Sequence, residues 1–167
     1  MSNLIPPSIV LLDVALVILF ISLIFRLPLA RWVGKYAVLF GFLISLAAVS
    51  GSLFYSEVVG FEPCLLCWYQ RIAIYPLLVL FTVAMFNKKD RGVFKYALPL
   101  AVIAAVIALY HSYVQWGGTP LIPCDSTASC AKLYVYAYGY VTIPTMSLSV
   151  ALAMILLWWS NKMRSIL

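Results

Sequence analysis

Pro63-Cys64-Leu65-Leu66-Cys67-Trp68-Tyr69-Gln70-Arg71 stands where a polar gap gives way to an apolar run. Its two cysteines are three positions apart, and an arginine follows four positions after the second. A proline in the first turn of a helix costs no hydrogen bond. The stretch therefore predicts that Pro63 opens a helix, with both thiols in its first turn. Unpaired backbone N–H groups give that turn partial positive charge, which favours thiolate over thiol. Arg71 lies one helical turn beyond Cys67 and two beyond Cys64, so it shares their face. A cation there is expected to favour the thiolate at Cys67.

What surrounds this stretch sets the solvent. The chain has 167 residues, of which 65% are hydrophobic and 10% charged, against about 25% charged in an ordinary soluble domain. Mean hydropathy is +1.06. So few charges cannot coat a water-soluble globule, and the long apolar runs identify lipid as the second solvent. Those runs are 9–25, 36–55, 68–86, 94–113 and 141–159. About 20 residues at about 1.5 Å each cover a hydrocarbon core of about 30 Å. Backbone groups in lipid must pair internally, so the runs read as helices. The fold class is an all-α transmembrane helix bundle of five spans, forming one integral membrane domain over 1–167. Gly41, Ser45, Ala48, Ser50 and Gly51 give the second run small faces suited to close helix contact.

The net charge of +6 is no nucleic-acid signal, because the basic residues lie between apolar runs. One side of the bundle collects Arg26, Arg31, Lys35, Lys88, Lys89, Arg91, Lys95, Lys162 and Arg164; the other collects Arg71 and Lys132. By the positive-inside rule the first set is cytoplasmic, with the C-terminus inside and the N-terminus outside. The first run has no basic residue before it, the reverse of a secretory signal. Asp13, near the start of that run, is expected to reach water at the interface. Arg26 to Lys35 reads as a short basic turn. Tyr55, Trp68, Tyr113, Trp116 and Tyr140 would mark the outer interface, and Trp32, Trp158 and Trp159 the inner one.

This topology places all four cysteines outside, in the gaps 56–67 and 114–140, where disulfides persist. Cys64 with Cys67, and Cys124 with Cys130, read as redox pairs. Structural staples, and a zinc or copper site built from all four cysteines, are the competing readings. Closing six positions stabilises little, and His111 is the only histidine, which weighs against both. Gln70, Arg71 and His111 fall at similar depth and are expected to line a pocket for a polar headgroup with its tail in lipid. A quinone answers that description. The tyrosines at 134, 136, 138 and 140 read as an interfacial segment, and Pro144 as first-turn proline of the last helix.

The Cys-x-x-Cys-x-x-x-Arg element, the downstream cysteine pair, and Gly139-Tyr140-Val141-Thr142-Ile143-Pro144-Thr145-Met146 together resemble the bacterial disulfide-bond formation protein B (DsbB) family. The resemblance runs roughly from Tyr36 to Trp159. It implies catalytic Cys64, Cys67, Cys124 and Cys130, and a quinone (ubiquinone or menaquinone) at Arg71, Gln70 and His111. It implies a thioredoxin-fold dithiol oxidase (DsbA-like) acting in trans on Cys124. Electrons would then pass from Cys130 to Cys64, and from Cys67 to quinone in the bacterial inner membrane. That a quinone keeps the periplasm oxidising through this family is general knowledge of it. A vitamin K epoxide reductase-like protein has similar chemistry, but there the loop pair precedes the Cys-x-x-Cys. The chain departs from the family in its extra first span and in a short Cys124–Cys130 gap.

Overall fold

The apolar runs all become helices, four of them longer than the run and the second shorter. In the computed structural model, which describes residues 5–87, 92–119 and 130–166, they are α1 (Ile5–Ile24), α3 (Ala37–Leu53), α4 (Leu65–Phe86), α5 (Val93–Gln115) and α6 (Ile143–Ile166). Each, α3 together with the π-helical turn Phe54–Val58 that continues it, is long and apolar enough to cross a membrane. Side chains such as Leu11, Val79 and Val106 face outward. In lipid that is the expected state of an apolar surface. Pro76 and Pro99 sit inside α4 and α5, where neighbouring helices make such breaks tolerable.

Successive spans alternate in direction. Phe94 meets Phe81 at one end of the α4–α5 pair, and His111 meets Gln70 at the other. Ala37, Val38, Leu77, Phe81, Ala97, Ala101, Met154 and Leu157 form the largest core cluster. Its close packing rests on small residues. A Cβ on Gly41 would stand 2.5 Å from the Phe81 ring, so α3 approaches α4 only because that position is bare. On α5, Ala97, Ala101, Ala104 and Ala108 are all buried. Their spacing of three and four residues draws one stripe along the helix.

The basic turn expected at Arg26 to Lys35 is instead an eight-residue helix, α2 (Pro28–Lys35). Pro28 occupies its first turn, and the Ala30 N–H donates to the buried Ser22 Oγ at 3.0 Å. Ala30 and Gly34 are buried, and a Cβ on Gly34 would stand 2.5 Å from the Ser160 carbonyl of α6. The segment is therefore amphipathic and docked, with Arg31 and Lys35 turned away from α6. Asp13 is half-buried and also finds protein partners. Its carboxylate accepts from Ser149 Oγ and, at 2.9 Å, from Tyr140 OH, which ties α1 to the start of α6. That carboxylate holds the Tyr140 phenol above its ordinary pKa.

Pro144 lies in the first turn of α6. The four tyrosines divide. Tyr136 and Tyr138 are exposed, Tyr134 packs on Phe61 at 5.0 Å, and Tyr140 holds Asp13. Lys88, Lys89, Arg91 and Cys124 lie outside the described residues.

Candidate functional site

Helix α4 begins two residues later than a first-turn Pro63 would place it. Cys64 is the N-cap, with extended backbone (φ −69°, ψ 169°), and Leu65 is the first helical residue. Pro63 precedes the cap. The two thiols thus flank the entrance to the helix. Cys64 and Cys67 are free, with their sulfurs 3.1 Å apart. Cys130 is disulfide-bonded.

The two sulfurs face different surroundings. Cys64 is buried with Leu66, Val114 and Cys130. Its Sγ stands 3.7 Å from His111 Nε2, and the same nitrogen is 3.2 Å from the Cys130 carbonyl. That carbonyl can only accept, so His111 carries its proton on Nε2. His111 Nδ1 then accepts from the Gln70 amide at 3.4 Å, while Gln70 Oε1 accepts from Ser147 Oγ at 3.0 Å. A buried chain from α6 through α4 to α5 therefore ends on the Cys64 sulfur. The Cys64 thiol is lowered from 9.0 to about 4. The largest cause is the hydrogen bond from Cys67; His111 and the Cys67 backbone add to it, against the cost of burial. Of the two sulfurs it is thus Cys64 whose thiolate is favoured, with the Cys67 S–H as donor.

Arg71 is tied to α3. Its Nε donates to Ser52 Oγ at 3.1 Å, and its guanidinium also donates to the Ser52 carbonyl at 3.2 Å. Tyr75 OH donates to the same Ser52 Oγ at 3.1 Å. The guanidinium also lies 5.3 Å from the Trp68 ring centre. This half-buried arginine is anchored to the end of α3 rather than extended to headgroups. Immediately beyond Ser52, α3 loosens into a π-helical turn, Phe54–Val58, a feature that recurs at functional sites.

Cys67 opens onto a cavity of about 720 Å³. Gln70, Arg71, Ser52 and Ser147 stand with it on one side, and Ile44, Ala48, Ile74 and Val150 supply apolar wall. Ile5, Ser8, Ile9 and Leu12 of α1 also line it. His111 is not among the lining residues. It stands behind Gln70, on the Cys64 side, so the three residues expected to share one pocket divide across the helix.

Ser52, Tyr75 and Ser147 escape sequence reasoning, since isolated hydroxyls in apolar runs carry no spacing signal. The burial of His111 does carry one: it continues the alanine stripe of α5 at the next helical step. Three thiol or imidazole donors converge here as well. Cys64, Cys67 and His111 present ligand atoms all within 4.8 Å of one another.

Known proteins share this pattern. The family described as "Disulfide bond formation protein DsbB" matches residues 34–161. The chain is 39% identical over 126 residues to the SPbeta prophage-derived disulfide bond formation protein B of Bacillus subtilis (strain 168), covering 75% of this chain and 83% of that one. It is 42% identical over 107 residues to disulfide bond formation protein C of the same organism, covering 63% and 77%. It is 38% identical over 128 residues to a probable disulfide formation protein of Coxiella burnetii (strain Dugway 5J108-111), covering 75% and 86%. No solved structure matches.

Proposed function

This chain belongs to the DsbB family of disulfide bond formation proteins, and from that premise we propose that it reoxidises a thioredoxin-fold dithiol oxidase and delivers the electrons to membrane quinone. One observation carries the reading. Cys64 is buried beside Cys130, while Cys67, 3.1 Å away, lines the cavity. The pair spans the wall between a loop disulfide and a space open to an apolar ligand.

The donor set suits a quinone head. Cys67 supplies the thiol, and Gln70 and Arg71 supply N–H groups, in a largely apolar space. Ser52 occupies two of the five guanidinium N–H groups and fixes the plane of the rest. When bound, the quinone supplies an acceptor for two electrons and two protons.

The thiol steps balance without further reagents. The partner's dithiol reduces the Cys124–Cys130 disulfide and leaves oxidised. Cys130 attacks the Cys64 sulfur of a Cys64–Cys67 disulfide, and Cys67 departs as thiolate. Cys124 then attacks Cys130 and releases Cys64. Free Cys64 and Cys67 with Cys130 in a disulfide is the redox state this path reaches before the electrons move on. His111 holds the Cys130 carbonyl and faces Cys64, so the exchange needs no long swing of the loop. With the charge at rest on Cys64, the proton of Cys67 has only 3.1 Å to cross before Cys67 acts.

In this reading the cysteine end of the bundle faces outward from the bacterial cytoplasmic membrane, with the C-terminus inside. Purified full-length protein, mixed with a reduced thioredoxin-fold dithiol and ubiquinone or menaquinone analogues, should bleach quinone absorbance with turnover. Dithiol oxidation without any quinone reduction overturns the acceptor. Sulfurs that an impermeant maleimide reaches only after the inner face is opened overturn the orientation.

A further inference from the structure

We propose that Cys64, Cys67 and His111 form a redox-gated site for a thiophilic divalent cation of the Zn²⁺ class. The inference does not depend on quinone, because it concerns only the reduced pair and the imidazole.

The donors are the right kind and nearly at the right separation. Tetrahedral zinc takes thiolate sulfur at about 2.3 Å and imidazole nitrogen at about 2.0–2.1 Å, which sets neighbouring donors about 3.5–3.8 Å apart. Here the sulfurs are 3.1 Å apart, Cys64 Sγ to His111 Nε2 is 3.7 Å, and all three atoms lie within 4.8 Å of one another. Small side-chain rotations close the difference. Two donors come from the start of α4 and one from α5, helices packed together along the alanine stripe.

The surroundings supply what a metal-bound histidine needs. Such a ring donates its other N–H to a carbonyl or carboxylate, which fixes the tautomer. Gln70 faces His111 Nδ1 at 3.4 Å, and its amide is itself held by Ser147. Turning that amide over presents Oε1 to an Nδ1–H and NH₂ to the Ser147 oxygen. The His111 proton then sits on Nδ1, and Nε2 is left with a lone pair for the cation. Access is from the cavity that Cys67 lines. Cys130 is disulfide-bonded, so the set is two thiolates and one imidazole rather than four thiolates.

Binding displaces the Cys67 thiol proton to solvent and leaves the sulfur oxidation state unchanged. Oxidation of Cys64 and Cys67 to a disulfide removes two of the three ligands. Metal and forward electron flow are therefore mutually exclusive: a cation captured by the reduced pair holds both sulfurs against oxidation.

The test titrates Co²⁺ into purified full-length protein, reduced and then freed of reductant. A thiolate-to-cobalt charge-transfer band should saturate at one ion per chain and disappear on adding Zn²⁺. Protein carrying the Cys64–Cys67 disulfide should show none. His111→Ala should weaken cobalt binding at least tenfold, and His111→Gln, closer in shape, should do the same if the alanine variant fails to fold. Zn²⁺ should also protect Cys64 and Cys67 from alkylation in the parent protein. Absence of the band in reduced protein, equal binding by oxidised protein, or unchanged affinity in both histidine variants overturns the proposal. Quinone reduction enters none of these readouts.

Discussion

Helix α4 is two different environments joined end to end. From Leu77 to Ala84 its buried face meets only apolar partners: Phe81 against Gly41 and Phe94, Leu77 and Ala84 within the same cluster. From Cys64 to Arg71 the same helix meets His111, Ser147 and Ser52 from its neighbours. The contrast teaches how the chain divides its work. In lipid, helices gain little from hiding apolar surface, so the basic end coheres through close packing at bare and small positions. The cysteine end gives up such packing to hold a proton-bearing network and a cavity. Stability and redox chemistry are therefore expected to separate along one helix.

Four measurements break or sharpen this contrast. The largest effect belongs to Cys67→Ser, which should abolish quinone reduction while leaving the Cys124–Cys130 pair able to react once with a reduced partner. Turnover at the parental rate would remove Cys67 from the path. Next, Phe81→Ala should cost about 3–5 kcal/mol of stability, the range for deleting a buried aromatic. Unfolding in mild detergent reads this, and the rate per folded molecule should hold. A loss of rate without loss of stability would mean that the two ends are not separable.

Smaller is Arg71→Ala. Hydrogen bonds to a charged group are worth about 1.5–3 kcal/mol, so the apparent KM for quinone should rise about tenfold or more, with little change in stability. The reverse pattern would make Arg71 a strut for Ser52 and nothing else. Smallest is a titration that perturbs no residue. With the Cys64 thiol lowered from 9.0 to about 4, reduced protein is thiolate above that value and thiol below it. Thiolate absorbance should persist as pH falls through 9.0 and be lost only near 4. Loss near the ordinary value would show that Cys67 and His111 do not hold the charge.

Much of this is legible in the chain itself. The spans, the alternation and the Cys-x-x-Cys at a helix start follow from runs and spacings along the sequence. Gln70, Arg71 and His111 stand out there too; Gln70 and Arg71 do line one cavity, while His111 stands behind Gln70. Adjacent residues on a helix point about 100° apart, so Gln70 turns into the bundle and Arg71 toward α3. Helix α2 hides because eight residues make too short a period to read, and its need for Gly34 exists only where Ser160 approaches. The first span is legible as a helix but not as a wall. Only folding brings Ile5, Ser8, Ile9 and Leu12 to the cavity and Asp13 to Ser149.

The amino-acid order alone determined the solvent, the number of crossings and the chemical identity of the reactive groups, because hydropathy and thiol spacing are properties of the chain taken locally. The tertiary structure decided which sulfur carries the charge and which one opens on the cavity. Those depend on which groups each sulfur meets, the Cys67 thiol and the α5 imidazole around Cys64 and the walls from α1, α3 and α6 around the cavity, contacts of a few ångströms set only once the helices have packed.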